Sequence, residues 1–524
     1  MIVLFVSRLF FFVFGKEKKI ERSCSDFRAQ VIRGDFTATQ GTAMATPTIV
    51  LVPVWGVGHF VPMLEVGKRM LARSALPLTI TVLVMLEPSK AQRASEIAEL
   101  IRQEEASGLG IRFHHLPAVD PPTDHSGIEE YISRYVQRYA PHVRAAVAGL
   151  ACPVAGVVVD IFCTPLFDAA RDLGVPAYVY LIASAAMCAL MLRSPSLDEE
   201  VPAEVEFEEM EGGAVDVPGL PPVPASCLPS GLENRKIPTC KWFVYNGRRY
   251  TEASGIIVNT VAELEPGVLA AIADGRCTRG IRAPTVYTIG PVIPFAPPPH
   301  AGQAHECVRW LDSQPPASVV FLCLGGSGWT TVPQAHEIAQ GLERSGQRFL
   351  WVLRGPPEPG SKVPTDGDLT EQLPEGFVER TKERGMVWPA RAPQKEILAH
   401  AAVGGFVTHC GWNSILESLW LGVPMVPWPL GAEQHYNAFM LVAGMDVAVP
   451  MKVDRKRSNF VEAAELEGAV KALMDGGEAS RKVRERTTAM KAACRKAVEE
   501  GGSSSVALQR LCEALVVGAV LPKK

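Results

Sequence analysis

Two residues in the first half of the chain have the types and positions to move a proton. His59 follows a short β-branched run, Thr48–Val54, within the turn Gly56-Val57-Gly58-His59, and helical spacing follows over Met63–Ala72. That places an imidazole at the carboxyl end of a strand, where open α/β sheets bind ligands. An imidazole there can act as a general acid or base; the plainer reading is a solvated loop histidine. Asp160 ends the apolar run Val157-Val158-Val159. A carboxylate there could orient His59 and stabilise its charged form, or simply cap the next helix. The glycine turn is not a dinucleotide fingerprint, because Val61 stands where a third small residue is needed.

The second half has the makings of an anion site. Gly325-Gly326-Ser327-Gly328 follows an apolar strand, and Trp329 breaks the G-x-S-x-G pattern of a nucleophile elbow. A glycine-rich turn instead lets phosphate oxygens approach backbone N–H groups. Further on, Phe406–Thr408 reads as a strand end, His409-Cys410-Gly411-Trp412 as a turn, and Asn413 or Ser414 as a helix start. First-turn N–H groups, the helix dipole, His409 and the Asn413 and Ser414 side chains converge there, a geometry suited to a diphosphate. Ser414-x-x-Glu417 also fits a capping box. Glu433-Gln434, just after the next strand, could bind vicinal hydroxyls. Asp366-Gly367-Asp368 reads as a solvated turn, and His400 and His409 have no zinc-ligand spacing.

These residues need a scaffold, and the chain supplies one. Its 524 residues are 47% hydrophobic and 21% charged, with 52 basic and 56 acidic side chains and a net charge of −4. That excludes a disordered chain or coiled-coil rod and offers no basic surface for nucleic acid. Apolar strands alternate with amphipathic helices from Thr48 onward. The fold class is α/β, with two Rossmann-like, doubly wound parallel-sheet domains. The Pro-rich stretch 291–303 reads as a linker between domains at 44–290 and 304–502, and 503–524 as a closing helix and tail. Gly355–Leu373 reads as a surface loop. Residues 1–43 open with a short apolar run and continue without pattern; they are expected to be a disordered extension rather than a membrane anchor. The 12 cysteines are scattered, as buried thiols in a reducing compartment would be, so a cytoplasmic location is expected.

The stretch from Arg391 to Gln434 resembles the signature box of plant family-1 UDP-sugar-dependent glycosyltransferases. His409-Cys410-Gly411-Trp412-Asn413-Ser414, Glu417, Gly422-Val423-Pro424 and Glu433-Gln434 carry the match. Trp310–Pro316, Phe349-Leu350-Trp351, Gly58-His59 and Val159-Asp160 extend it over the chain from Met44. The resemblance implies a GT-B architecture, two Rossmann-like domains facing across a cleft, and inverting transfer of a sugar without metal or cofactor. It implies His59 as general base on an acceptor hydroxyl, with Asp160 as its partner. His409, Asn413 and Ser414 would hold the diphosphate, with Gly326 and Ser327 beside it. Glu417 would hold the ribose, while Ala392 and Gln394 flank the uracil. Trp412, Glu433 and Gln434 would face the sugar.

Two residues depart from the family pattern. Arg391 replaces the tryptophan that stacks on uracil, although a guanidinium can also stack. Gly326 stands where serine is common. Gln434 goes more often with UDP-glucose than with UDP-galactose, and family habit points to a small phenolic, flavonoid-type acceptor, bound by variable first-domain segments that correspond here to Asp124–Tyr139 and Tyr180–Met191. A monomer is expected, without membrane or nucleic-acid partners. The competing reading is a non-catalytic UDP-sugar-binding homologue, favoured by Arg391 and Gly326 and opposed by the retained His59, Asp160, Glu433 and Gln434.

Overall fold

The computed structural model describes residues 45–74, 77–87, 91–294, 304–359 and 363–520. The expected extension 1–43, most of the Pro-rich linker and the tail 521–524 lie outside the described residues.

The first sheet has seven parallel strands: β1 (Thr48–Val52), β2 (Thr79–Val84), β3 (Ile111–His115), β4 (Val154–Asp160), β5 (Ala177–Leu181), β6 (Gly255–Val258) and β7 (Val286–Thr288). Their spatial order is β3-β2-β1-β4-β5-β6-β7. The second sheet has five: β8 (Val319–Cys323), β9 (Arg348–Val352), β10 (Gly385–Trp388), β11 (Val403–Thr408) and β12 (Met425–Pro427), in the order β10-β9-β8-β11-β12. The central strands are buried along their length, as continuous Val/Ile/Leu/Phe runs require when helices cover both faces.

Both sheets reverse their strand order between the first strand and the fourth. Such a reversal opens a crevice at the carboxyl ends of those strands. Register places Val52 beside Val159 in the first sheet and Cys323 beside Thr408 in the second. The segments that follow these four residues carry the candidate chemistry.

Four helices matter to the site. α1 (Val57–Arg73) follows β1, and α2 (Ile128–Ala148) precedes β4. α3 (Trp412–Leu421) follows β11. α4 (Ser503–Val520) closes the described chain and returns to the first sheet. Leu508, Leu511 and Leu515 of α4 join the core formed by Ile49, Ala155 and Val158. Gly156 permits that approach, since a Cβ there would lie 2.6 Å from Leu515. Among the described residues no helix is long and apolar enough to cross a membrane.

Some expected boundaries shift. α1 starts at Val57 rather than Met63, so His59 lies in the first helical turn and not at a loop tip. The turn is made at Gly56, whose φ of 143° suits glycine alone. α3 starts at Trp412, ahead of the expected Asn413 or Ser414. The expected loop at Gly355–Leu373 instead contains an antiparallel pairing of Arg354–Pro357 with Pro364–Asp366 and a short helix, Leu369–Gln372, capped by Asp368.

Candidate active site

The first wall of the site is built on Asp160. Its side chain is fully buried and accepts N–H groups from Val54 (3.1 Å) and Ile161 (2.7 Å). Nδ1 of His59 lies 3.1 Å from each of its carboxylate oxygens. With Nδ1–H donating to the carboxylate, Nε2 is left unprotonated and able to accept a proton. Burial alone would lower the His59 pKa, but the charge and hydrogen bond of Asp160, with help from Glu433, raise it above its ordinary value. The expected dyad is therefore brought together, and Asp160 acts on the histidine rather than as a helix cap.

The second wall gathers around His409. Its ring sits between two glycines: a Cβ at Gly325 would fall 2.5 Å from the ring and one at Gly411 2.4 Å from Nε2. Gly325 also has a φ of +77°. Enclosure pushes the His409 pKa down to about 4. The side chain is therefore neutral near pH 7 and contributes an N–H dipole, not a positive charge. Its Nδ1 has no partner among the described residues, nor does Oδ1 of Asn413. The N-cap of α3 is Gly411, with no side-chain cap. Unpartnered polar atoms beside an uncapped helix terminus fit an anionic ligand with its own hydrogen-bonding groups.

The capping-box alternative for Ser414 and Glu417 is not what forms. Gln394 Nε2 instead donates to Ser414 Oγ and to Glu417, each at 2.8 Å. Burial raises the Glu417 pKa, and the bond from Gln394 partly opposes it. Burial likewise raises Glu433, partly offset by its own backbone N–H and by the charge of His59. Glu433 thus belongs electrostatically to both walls.

Every expected site residue except Asp160 and Gln434 lines one cleft of about 1610 Å³. A pocket for one drug-sized ligand holds roughly 300–1,000 Å³, so this cleft has room for two substrates. Asp160 lies behind His59. Gln434 turns its Oε1 to the N–H groups of Leu430 and Gly431. Trp412 needs a correction: it borders the cleft, but its side chain is buried and its indole N–H donates to the carbonyl of Asn259 at 2.6 Å. The ring joins the two halves rather than facing a sugar. Arg391 stands largely exposed at the cleft mouth, 3.8 Å from Glu96 of the first half.

Two site residues escaped the sequence reading. Asn437 is fully buried and holds the carbonyl of Cys410 at 2.9 Å, bracing the strained turn where Cys410 has a φ of 64°. Glu129, in the first turn of α2, lines the cleft with Ile128 and Ile132. It lies within Asp124–Tyr139, one of the two segments in which the resemblance puts the acceptor pocket, but as an acid set among the apolar positions of that helix it is not singled out by type or spacing.

Residues 298–484 match the family model for UDP-glucoronosyl and UDP-glucosyl transferase. The chain is 64% identical over 479 residues to the malvidin galactosylase of Oryza sativa subsp. japonica, covering 90% of this chain and 98% of that protein. It is 37% identical over 478 residues to an anthocyanidin 5,3-O-glucosyltransferase of a Rosa hybrid cultivar, covering 90% and 99%. Among solved structures it resembles Phytolacca americana UGT2 complexed with UDP-2fluoro-glucose and pterostilbene. That likeness has a TM-score of 0.77 and 34% identity and covers 90% of this chain and all of the other.

The His409 pocket makes one expectation concrete. Gly325→Ala should displace the imidazole and weaken binding of UDP by about tenfold or more, about 1.4 kcal/mol. Calorimetric titration measures this, with the melting temperature as a check on folding. Unchanged affinity in a folded variant would mean that the ring position is unimportant to the anion site.

Proposed function

Because the chain belongs to the plant family-1 UDP-glycosyltransferases, we propose that it transfers a hexose from a UDP-sugar to a hydroxyl of a small flavonoid-type phenol, with His59 as the general base. The observation that carries this reading is the double approach of His59 Nδ1 to Asp160, at the edge of the cleft that also holds the anion cradle.

The chemistry follows from the two walls. Nε2 of His59 takes the proton of the acceptor hydroxyl. The oxygen attacks the anomeric carbon from the face opposite the diphosphate and forms the new C–O bond. The bond from the anomeric carbon to the phosphate oxygen breaks, and its electron pair leaves with UDP. Configuration at that carbon inverts. The proton stays on His59, where Asp160 stabilises the imidazolium, and then passes to solvent. Charge developing on the diphosphate meets the first-turn N–H groups of α3, His409, Asn413 and Ser414, with Gly326 and Ser327 alongside. Glu417 holds the ribose hydroxyls and Glu433 the hexose hydroxyls. Ala392 and Gln394 flank the base, and Arg391 covers it from the mouth. No metal or cofactor takes part in this scheme. The linker at 291–303 then separates an acceptor-binding half from a donor-binding half.

The donor sugar divides two lines of argument. Gln434 follows the glucose habit of the family, and its amide nitrogen stays available because only Oε1 is engaged by the turn. The relative at 64% identity is named a galactosylase. Glucose and galactose differ in the orientation of one hydroxyl, so one side chain is a weaker guide than identity spread over the whole chain. We therefore take galactose as the reading to test first. Initial rates with UDP-galactose and UDP-glucose on one anthocyanidin should favour galactose in kcat/KM by about tenfold, a difference of about 1.4 kcal/mol. A preference for glucose would overturn this choice and restore the reading from Gln434.

His59→Ala should lower transfer by about 10²–10⁴-fold while UDP affinity persists. In the wild type, kcat/KM for the acceptor should rise with pH through a limb above 6.5, because the base must be neutral and Asp160 raises its pKa. In Asp160→Asn the residual activity should show that limb at lower pH. Near-wild-type turnover in His59→Ala, or a limb that stays in place in Asp160→Asn, would remove His59 from the role of base.

A further inference from the structure

Two neighbouring acids open α2, and only one has a structural use. Glu130 accepts the N–H and the hydroxyl of Ser126, each at 2.8 Å, and pairs with Arg134 at 2.8 Å. It thereby does what an acid in a first helical turn ordinarily does. Glu129 is 5% exposed and forms no ion pair among the described residues. Among the described residues its one side-chain partner is the Thr239 hydroxyl, which donates to Oε2 at 3.3 Å, and its own backbone N–H also donates to the carboxyl group. Gly231 makes room for it, since a Cβ there would lie 2.6 Å from Oε1. Burial, with the like charge of Glu433, raises its pKa.

Burying a carboxyl group without a cation costs several kcal/mol unless hydrogen-bond donors surround it. One long bond from a threonine and the residue's own backbone N–H fall short of that. The cleft supplies the context. Its first-sheet wall is largely apolar, with Val54, Ile132, Ile161, Phe162, Ile182 and Met187 suited to an aromatic ring system. Among the described residues of that wall, only His59 and Glu129 carry titratable side chains besides Glu96 at the mouth. A flat acceptor packed there would meet two titratable side chains, one of them the proposed base.

We propose that Glu129 is an acceptor-binding residue, whose carboxyl group takes a hydrogen bond from a second hydroxyl of the acceptor while the first is presented to His59. The preferred acceptor is then a phenol with at least two separated hydroxyls, and Glu129 selects for the one that is not glycosylated. This rests on the transferase reading above. Glu129 takes no part in the proton transfer.

The test uses the full chain and a flavonol series in which each ring hydroxyl is replaced in turn by hydrogen. For the wild type, loss of one particular hydroxyl other than the glycosylated one should cost about 10- to 100-fold in kcat/KM, as removing the partner of a buried polar group does. Glu129→Leu should lower kcat/KM for the fully hydroxylated flavonol by a similar factor and abolish that discrimination. Glu129→Gln, nearly isosteric, should keep part of it and carries the test alone if the leucine variant does not fold. UDP affinity should not change in either variant. Equal losses across the whole series, or discrimination that survives in both variants, would overturn the proposal, since a purely structural role predicts one or the other. A wild type that transfers sugar to none of these phenols would overturn the transferase reading and this assignment with it.

Discussion

The carboxylate of Asp160 is the fixed point of the cleft. A fully buried carboxylate is tolerable only when donors surround it, and the three it has come from three places. Val54 N–H comes from the segment after β1, Ile161 N–H from the end of β4, and Nδ1 of His59 from the first turn of α1. The need to satisfy one side chain therefore pins the carboxyl ends of two adjacent strands and the imidazole between them. It also selects the tautomer, because the proton held on Nδ1 leaves Nε2 free to work. Gly56 completes the arrangement, turning the chain sharply enough for the third helical residue to reach back over β4.

The second sheet repeats the first in strand order and differs in chemistry. Its switch point bears a neutral histidine lodged against two glycines and an uncapped helix terminus. Glu417, Glu433 and Glu129 line the same cleft, so an anionic donor is not drawn in by bulk positive charge. Local N–H groups aimed at one place suffice, because dipoles that are already oriented cost no reorganisation when charge develops. The proposed use of a doubly phosphorylated substrate is thus compatible with a chain whose net charge is −4.

Much of this was legible in the residues. The β-branched runs located the central strands, and the ends of those runs located His59, Asp160 and His409, because side chains at strand ends in such sheets face the crevice whatever the rest does. The run from His409 to Ser414 marked the strand–turn–helix junction where His409 and Asn413 present unpartnered polar atoms. What could not be read depended on contacts between distant segments. Trp412 buries its indole at the border of the cleft because the carbonyl of Asn259, 153 residues away, takes its N–H. The short strands β6, β7 and β10 have too few residues for a period to show. Glu129 and Glu130 look alike on a helical face, and only the positions of Ser126, Arg134 and Thr239 tell them apart. The return of α4 to the first sheet is likewise invisible in the pattern of α4 itself.

The central claim is a single displacement in which a base on one wall and an anion cradle on the other act on opposite faces of the sugar. The stereochemistry of the product reports on that most directly. Proton NMR of the glycoside formed from a UDP-α-hexose and a flavonoid acceptor should show a β-linked sugar, with the large anomeric coupling of two axial protons. An α-linked product, with the small coupling that retention gives, would contradict the account.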